Sequence, residues 1–95
     1  MSLNNLHADL CPFGYELREG DIDGWGALNP GGGAPPALTR EECAAECSQQ
    51  ATCLSFEHSY TEGLCNLNTL AEPDSGQYED WAFCTKEGKI FVLLL

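Results

Sequence analysis

Six cysteines, at positions 11, 43, 47, 53, 65 and 84, constrain this 95-residue chain more than any other feature. Three of them fall within "ECAAECSQQATC", residues 42–53. A chain this long has room for one domain with a modest core, which commonly needs disulfides or a metal to supplement burial. A structural zinc site uses close pairs such as C-x2-C, matched by a second pair or by histidines. Here the gaps inside the cluster and on to Cys65 are longer, and neither His7 nor His58 belongs to a paired motif. A redox centre would want C-x-x-C at a helix start beside positive charge, to lower a thiol pKa. No C-x-x-C occurs, and the residues before Cys43 are acidic. An even number of cysteines with neither signature reads as a disulfide framework, which implies an oxidising, extracellular or secretory setting.

Local patterns supply the elements to be stapled. "CPFGYEL" (Cys11–Leu17) alternates Phe13, Tyr15 and Leu17, as a half-buried strand does. Residues Glu19–Ala37 hold six glycines and three prolines in nineteen positions, which predicts a long surface loop. Thr39 and Glu42 form a capping-box pair, and Glu41 and Glu42 suit the positive end of a helix dipole. Alanines 44 and 45 favour the helix further, so about three turns are expected over Thr39–Gln50. "CLSFEHSY" puts Leu54, Phe56 and His58 on one strand face and Cys53, Ser55 and Glu57 on the other. "TEG" then turns the chain into "LCNLN" (Leu64–Asn68), and "QYEDWAFC" (Gln77–Cys84) reads as a last strand. The expected fold class is α+β: a small antiparallel β-sheet with one α-helix packed across it, stapled by three disulfides. Tyr15, Phe56, Trp81 and Phe83 are the expected aromatic core.

Six cysteines allow fifteen pairings, and the sequence by itself does not choose among them. Helical spacing narrows the field, because Cys43 and Cys47 project one turn apart towards the same neighbour. Chain reversal after Gln50 favours Cys47 with Cys53. The return strand can carry Cys65 opposite Cys43, which leaves Cys11 and Cys84 to tie the terminal strands. Cysteines at i and i+4 on a helix, then "CLSFEH", "CNL" and an aromatic-rich strand ending in Cys84, resemble a PAN/apple domain. The resemblance covers roughly Cys11 to Cys84. It implies a helix on a small antiparallel sheet and, for the apple subtype, the bridges Cys11–Cys84, Cys43–Cys65 and Cys47–Cys53. Residues 1–10 are then an N-terminal extension, 11–84 the PAN/apple-like domain and 85–95 a C-terminal tail of uncertain structure. The loop before the helix is long for the pattern, and "IFVLLL" lies outside it.

Charge narrows the partners. The formal net charge is −11, and the only cations are Arg18, Arg40, Lys86 and Lys89. Nothing clusters to neutralise phosphates or sulfates, so nucleic acid, heparin-like glycans and anionic membranes are poor partners. No leader with a basic start and apolar run is visible at the N-terminus, so the chain is expected to be a mature piece or an excised module. Ile90–Leu95 is too short to cross a bilayer; a last strand, the start of a membrane segment and a remnant of expression all fit it.

Catalytic motifs are not found: there is no G-x-S-x-G, H-E-x-x-H or phosphate-binding glycine loop. No N-glycosylation acceptor occurs either. The carboxylates read as exposed charge, and no cofactor is implied. "EGDIDG" spaces Glu19, Asp21 and Asp23 as calcium loops begin, but the closing ligand of an EF-hand would fall on Pro30. Only a looser calcium site on those three carboxylates remains. Trp25 sits among glycines, either folded back as a plug for the core, the preferred reading, or presented as a contact residue. Trp25, Asp21 and Asp23 are the candidate binding residues, on the loop expected to make first contact.

The expected function is a non-catalytic extracellular recognition module that binds a protein or carbohydrate within a modular secreted or cell-surface protein. Self-association is left open. Two other classes compete: a small secreted disulfide-rich inhibitor or effector, and a small hydrolase for which the sequence offers no acid/base pair.

Overall fold

The computed structural model describes residues 10–76 and 80–87. The tail run Ile90–Leu95 and Gln77–Glu79, the expected start of the last strand, lie outside the described residues. One α-helix, a single 3-10 turn at Pro30–Gly32 and four strands are described. Helix α1 spans Arg40–Ser48. Strands β1 (Tyr15–Arg18), β2 (Ser55–Ser59), β3 (Cys65–Asn68) and β4 (Trp81–Lys86) form one antiparallel sheet in the order β1-β4-β2-β3. The α+β class expected from the sequence is the class observed.

The helix begins where the capping box places it. Thr39 Oγ1 accepts from the Glu42 backbone N–H at 3.0 Å, and Glu42 Oε1 accepts from the Thr39 N–H at 2.8 Å. Two otherwise orphaned donors are thereby satisfied. Cys43, Ala44 and Cys47 make the buried stripe of α1, and it lies against β2 and β3. Register fixes which sheet residues meet it. Leu17, Cys84, Phe56 and Leu67 stand in one row across the four strands, and Ala82, His58 and Cys65 in another. Side chains alternate along each strand, so these rows share the helix face.

Phe56 and Tyr15 meet there edge to face, with ring centroids 4.9 Å apart. The Tyr15 hydroxyl donates to the Ala44 carbonyl at 3.1 Å and lies 2.9 Å from Ser48 Oγ, tying sheet to helix. Full burial of Phe56 contributes about 2–3 kcal/mol on transfer grounds.

Disulfides join Cys43 of α1 to Cys65 of β3, and Cys47 at the end of α1 to Cys53 before β2. A third joins Cys11, ahead of β1, to Cys84 of β4. The ion pairs among the described residues, such as Arg18–Glu72 and Arg40–Glu41, sit in solvent and add little.

Two strand expectations are corrected. Phe13 does not belong to β1 but stands 96% exposed. A turn closed by the Tyr15 N–H on the Pro12 carbonyl, with Gly14 at φ 92°, throws its side chain outward before the strand begins. Leu54, expected to share a face with Phe56, precedes β2 and is 40% exposed.

The second face of the sheet is the larger surprise. Ser55, Glu57, Ser59, Asn66, Asn68, Phe83 and Thr85 all point away from the helix, yet all are buried. Residues 21–37, expected as a surface loop, cover part of this face. Asp21 joins Ser75 in an isolated antiparallel bridge, with the Asp21 N–H donating to the Ser75 carbonyl at 2.9 Å. The Gly26 N–H donates to Asn66 Oδ1 at 2.9 Å, and Asn29 Nδ2 donates to the same oxygen at 2.8 Å.

The chain then follows the outer edge of β3. The Leu28 N–H donates to the Leu67 carbonyl at 3.0 Å, and the Leu67 N–H donates to Asn29 Oδ1 at 2.9 Å. Further on, the Cys65 N–H donates to the Pro36 carbonyl at 2.9 Å. Gly26 permits this approach, because a Cβ there would meet the Leu67 carbonyl oxygen at 2.5 Å.

Candidate functional site

Between this loop and the sheet lies an open cleft of about 430 Å³. Each wall follows from the local fold. Ile22 and Trp25 come from the loop's first limb, Ala34 and Pro35 from its return, Leu64 and Asn66 from the β3 side, and Trp81 from the start of β4. Glu57 reaches it from the central strand β2, and Glu62 from the β2–β3 turn.

That turn is held down by Asp80. Thr61 Oγ1 donates to Asp80 Oδ2 at 2.7 Å and Ser59 Oγ donates to it at 3.2 Å, so the residue before Trp81 is fixed to the turn that carries Glu62. These hydroxyl donors hold the Asp80 carboxyl below the usual aspartate range.

Glu57 is the unusual residue. Its side chain is 2% exposed although it is a carboxylic acid. The Ile22 backbone N–H donates to Oε2 at 2.9 Å, and Asn68 Nδ2 approaches Oε1 at 3.4 Å. Burial dominates, pushing its pKa up to about 7. The two hydrogen bonds pull the other way, and the carboxylates of Asp21 and Asp74 push it up further. A carboxylate offers about four acceptor positions, and two are engaged. Carboxylates in this sequence read in general as exposed charge, and Glu57, like Asp21, departs from that expectation. Alternation with Phe56 had placed Glu57 on the face opposite the core. Only a cover over that face, which no local pattern announces, turns the position into a buried one.

The structure separates the sequence's other candidates. Trp25 is 63% exposed and lines the cleft, so it is not a plug for the core. The space above the sheet beside it is already crossed by the Gly26–Asn29 backbone. Trp81, expected in the core with Phe83, is half-buried and lines the cleft, because it begins β4 on the face away from the helix.

Asp21 is 1% exposed, whereas Glu19 and Asp23 are exposed, so the three carboxylates of "EGDIDG" do not converge. Among the described residues no three His, Cys, Asp or Glu side chains gather to hold a metal ion. His58 lies on the helix face, where Nε2 donates to the Leu38 carbonyl at 2.7 Å.

The model of the PAN domain matches residues 33–80, half of the chain, and these residues contain α1, β2, β3 and four of the six bridged cysteines. The chain belongs to the PAN domain family. A comparison with curated proteins gave no match, and neither did one with solved structures. The PAN helix-on-sheet core carries three disulfides, as PAN/apple domains do. Domains of this family are generally non-catalytic modules that bind proteins or carbohydrates in extracellular proteins. The family match begins at Gly33, so the limb carrying Asp21, Ile22 and Trp25 lies outside it. The match thus holds six of the ten residues lining the cleft; Ile22, Gly24 and Trp25 precede it and Trp81 follows its last residue.

Proposed function

We propose that this PAN domain is a non-catalytic recognition module of a modular secreted or cell-surface protein, and that it holds its extracellular partner at the loop-covered face. The observation that carries the reading is Trp25, a large aromatic exposed beside an open cleft that Trp81 also lines. Exposed tryptophan at a concave, largely apolar site is the side chain most often found anchoring a partner. Apart from Glu57, Glu62 and Asn66 the described lining is aromatic, aliphatic or glycine, which suits a binding site. Three disulfides and the family's setting support a secretory location.

The test is a screen of extracellular proteins alongside a glycan array, run with the wild-type chain and with Trp25→Ala. A hit that the variant loses supports the reading. Silence in both screens overturns it, and silence joined to inhibition of a protease favours an effector instead.

A further inference from the structure

Three observations concern the chemistry of the cleft and not merely its presence. The charged side chains lining it, Glu57 and Glu62, are both acidic, and among the described residues no basic one joins them. Glu57 is held nearly out of solvent with acceptor capacity to spare. Two tryptophans, Trp25 and Trp81, supply aromatic walls, with Ile22, Pro35 and Leu64 as aliphatic ones.

Resting on the recognition reading above, we infer that the cleft receives an extended organic cation, the lysine side chain of a protein partner, with its ammonium at Glu57 and its methylene stem along the apolar wall. An ammonium beside a buried carboxylate makes charge-assisted hydrogen bonds, and aromatic faces attract the same charge through their quadrupoles. A cation also offsets what Glu57 loses through burial, as no neutral guest does.

A sugar fits the same walls less well. Its hydroxyls need paired donors and acceptors, and the Asn66 amide oxygen already accepts from Gly26 and Asn29. The net charge of −11 favours approach of a basic partner surface over the whole molecule.

The groups that face Glu57 across its neighbours are Asp21 from the loop and Asp74 from the segment after β3, with Glu62 on the turn. All are acidic. The cation site is therefore expected to strengthen as pH rises from 6 to 8 and Glu57 gives up its proton.

The chain's two tryptophans both line the cleft, so intrinsic fluorescence reads it directly. The experiment titrates the protein with Nα-acetyl-lysine amide, with Nα-acetyl-norleucine amide, which keeps the four-carbon stem and lacks the ammonium, and with galactose. Lysine amide is expected to bind in the millimolar range, at least about tenfold more tightly than norleucine amide, with galactose silent. Glu57→Gln keeps the shape and removes the charge, and is expected to weaken lysine binding about tenfold or more. Trp25→Ala, at an exposed position that folding does not need, is expected to abolish it.

Equal binding of lysine and norleucine, or binding undiminished in Glu57→Gln, overturns the inference. So does galactose in place of lysine. If lysine fails while the protein screen still yields a partner lost in Trp25→Ala, the cation assignment falls and the recognition reading stands. If both fail, both fall.

Discussion

Phe56 and Glu57 are neighbours in β2, both almost wholly buried, and they point to opposite faces of one sheet. Phe56 enters a core closed by α1, by the Tyr15 ring and by disulfides. Glu57 enters a polar layer roofed in part by a loop, where hydrogen bonds from Ile22 and Asn68 stand in for hydrophobic contact. The helix side buries apolar surface, so its contribution to folding is large and nearly independent of pH. The loop side buries polar groups that gain little on balance, and one of them carries a standing cost. That asymmetry teaches a division of labour. One face holds the fold, and the other leaves a cleft lined with groups that a partner can satisfy.

The comparison can be broken at several points, and the helix side should break hardest. Replacing both Cys11 and Cys84 by Ser opens a loop spanning 73 residues and should cost about 4 kcal/mol in the chain-entropy model, read by chemical denaturation. Phe56→Ala should cost about 3–4 kcal/mol for the lost burial and the cavity. An effect under about 1 kcal/mol from either change would show that the two faces do not differ as described.

On the loop side the signature is pH. Unfolded Glu57 releases its proton near 4.5 and folded Glu57 near 7, so between these values the folded chain holds a proton that the unfolded chain has lost. The stability tied to this group is full below pH 4.5 and is lost as pH rises through 7, an effect of about 2–3 kcal/mol between pH 5 and 8. Glu57→Gln should flatten that slope and leave the protein more stable than wild type at pH 8. An unchanged slope in thermal melts would place the titration elsewhere.

Thr39→Ala removes one partner of the capping box and should cost about 1 kcal/mol, again on the helix side. Least of all, Trp25→Ala should alter stability by no more than about 0.5 kcal/mol while removing partner binding. A large loss of stability in that variant would make Trp25 structural after all.

Elements whose determinants are local in sequence could be read directly. The capping box announced the start of α1, and the alternation from Ser55 to Ser59, with "TEG" and the return at Cys65, announced the hairpin. The family was legible for the same reason, since cysteines on one helix face and on the following strands are a pattern within a few dozen residues. The site was not legible as a whole. Trp25 carried a local sign of function, a bulky ring among glycines, but whether it turned in or out depended on the docking of the entire loop. Glu57 and Trp81 carried no sign, because both become cleft residues only when residues 21–37 lie over the second face. Phe13 was misplaced for a smaller reason: a single glycine turn ended an alternation that looked continuous.

The same loop has an effect on solubility. An unpaired outer strand is a template on which a second chain can add itself, and β3 is outermost in the sheet order. Leu28, Asn29 and Pro36 occupy the Leu67 and Cys65 groups that such an intruder would need. Anyone reshaping this loop to alter what it binds should therefore vary Asp23 to Trp25 and leave residues 26–29 and 36–38 as they are. Removing those would turn a guarded margin into a sticky one, and the first symptom would be aggregates, not lost affinity.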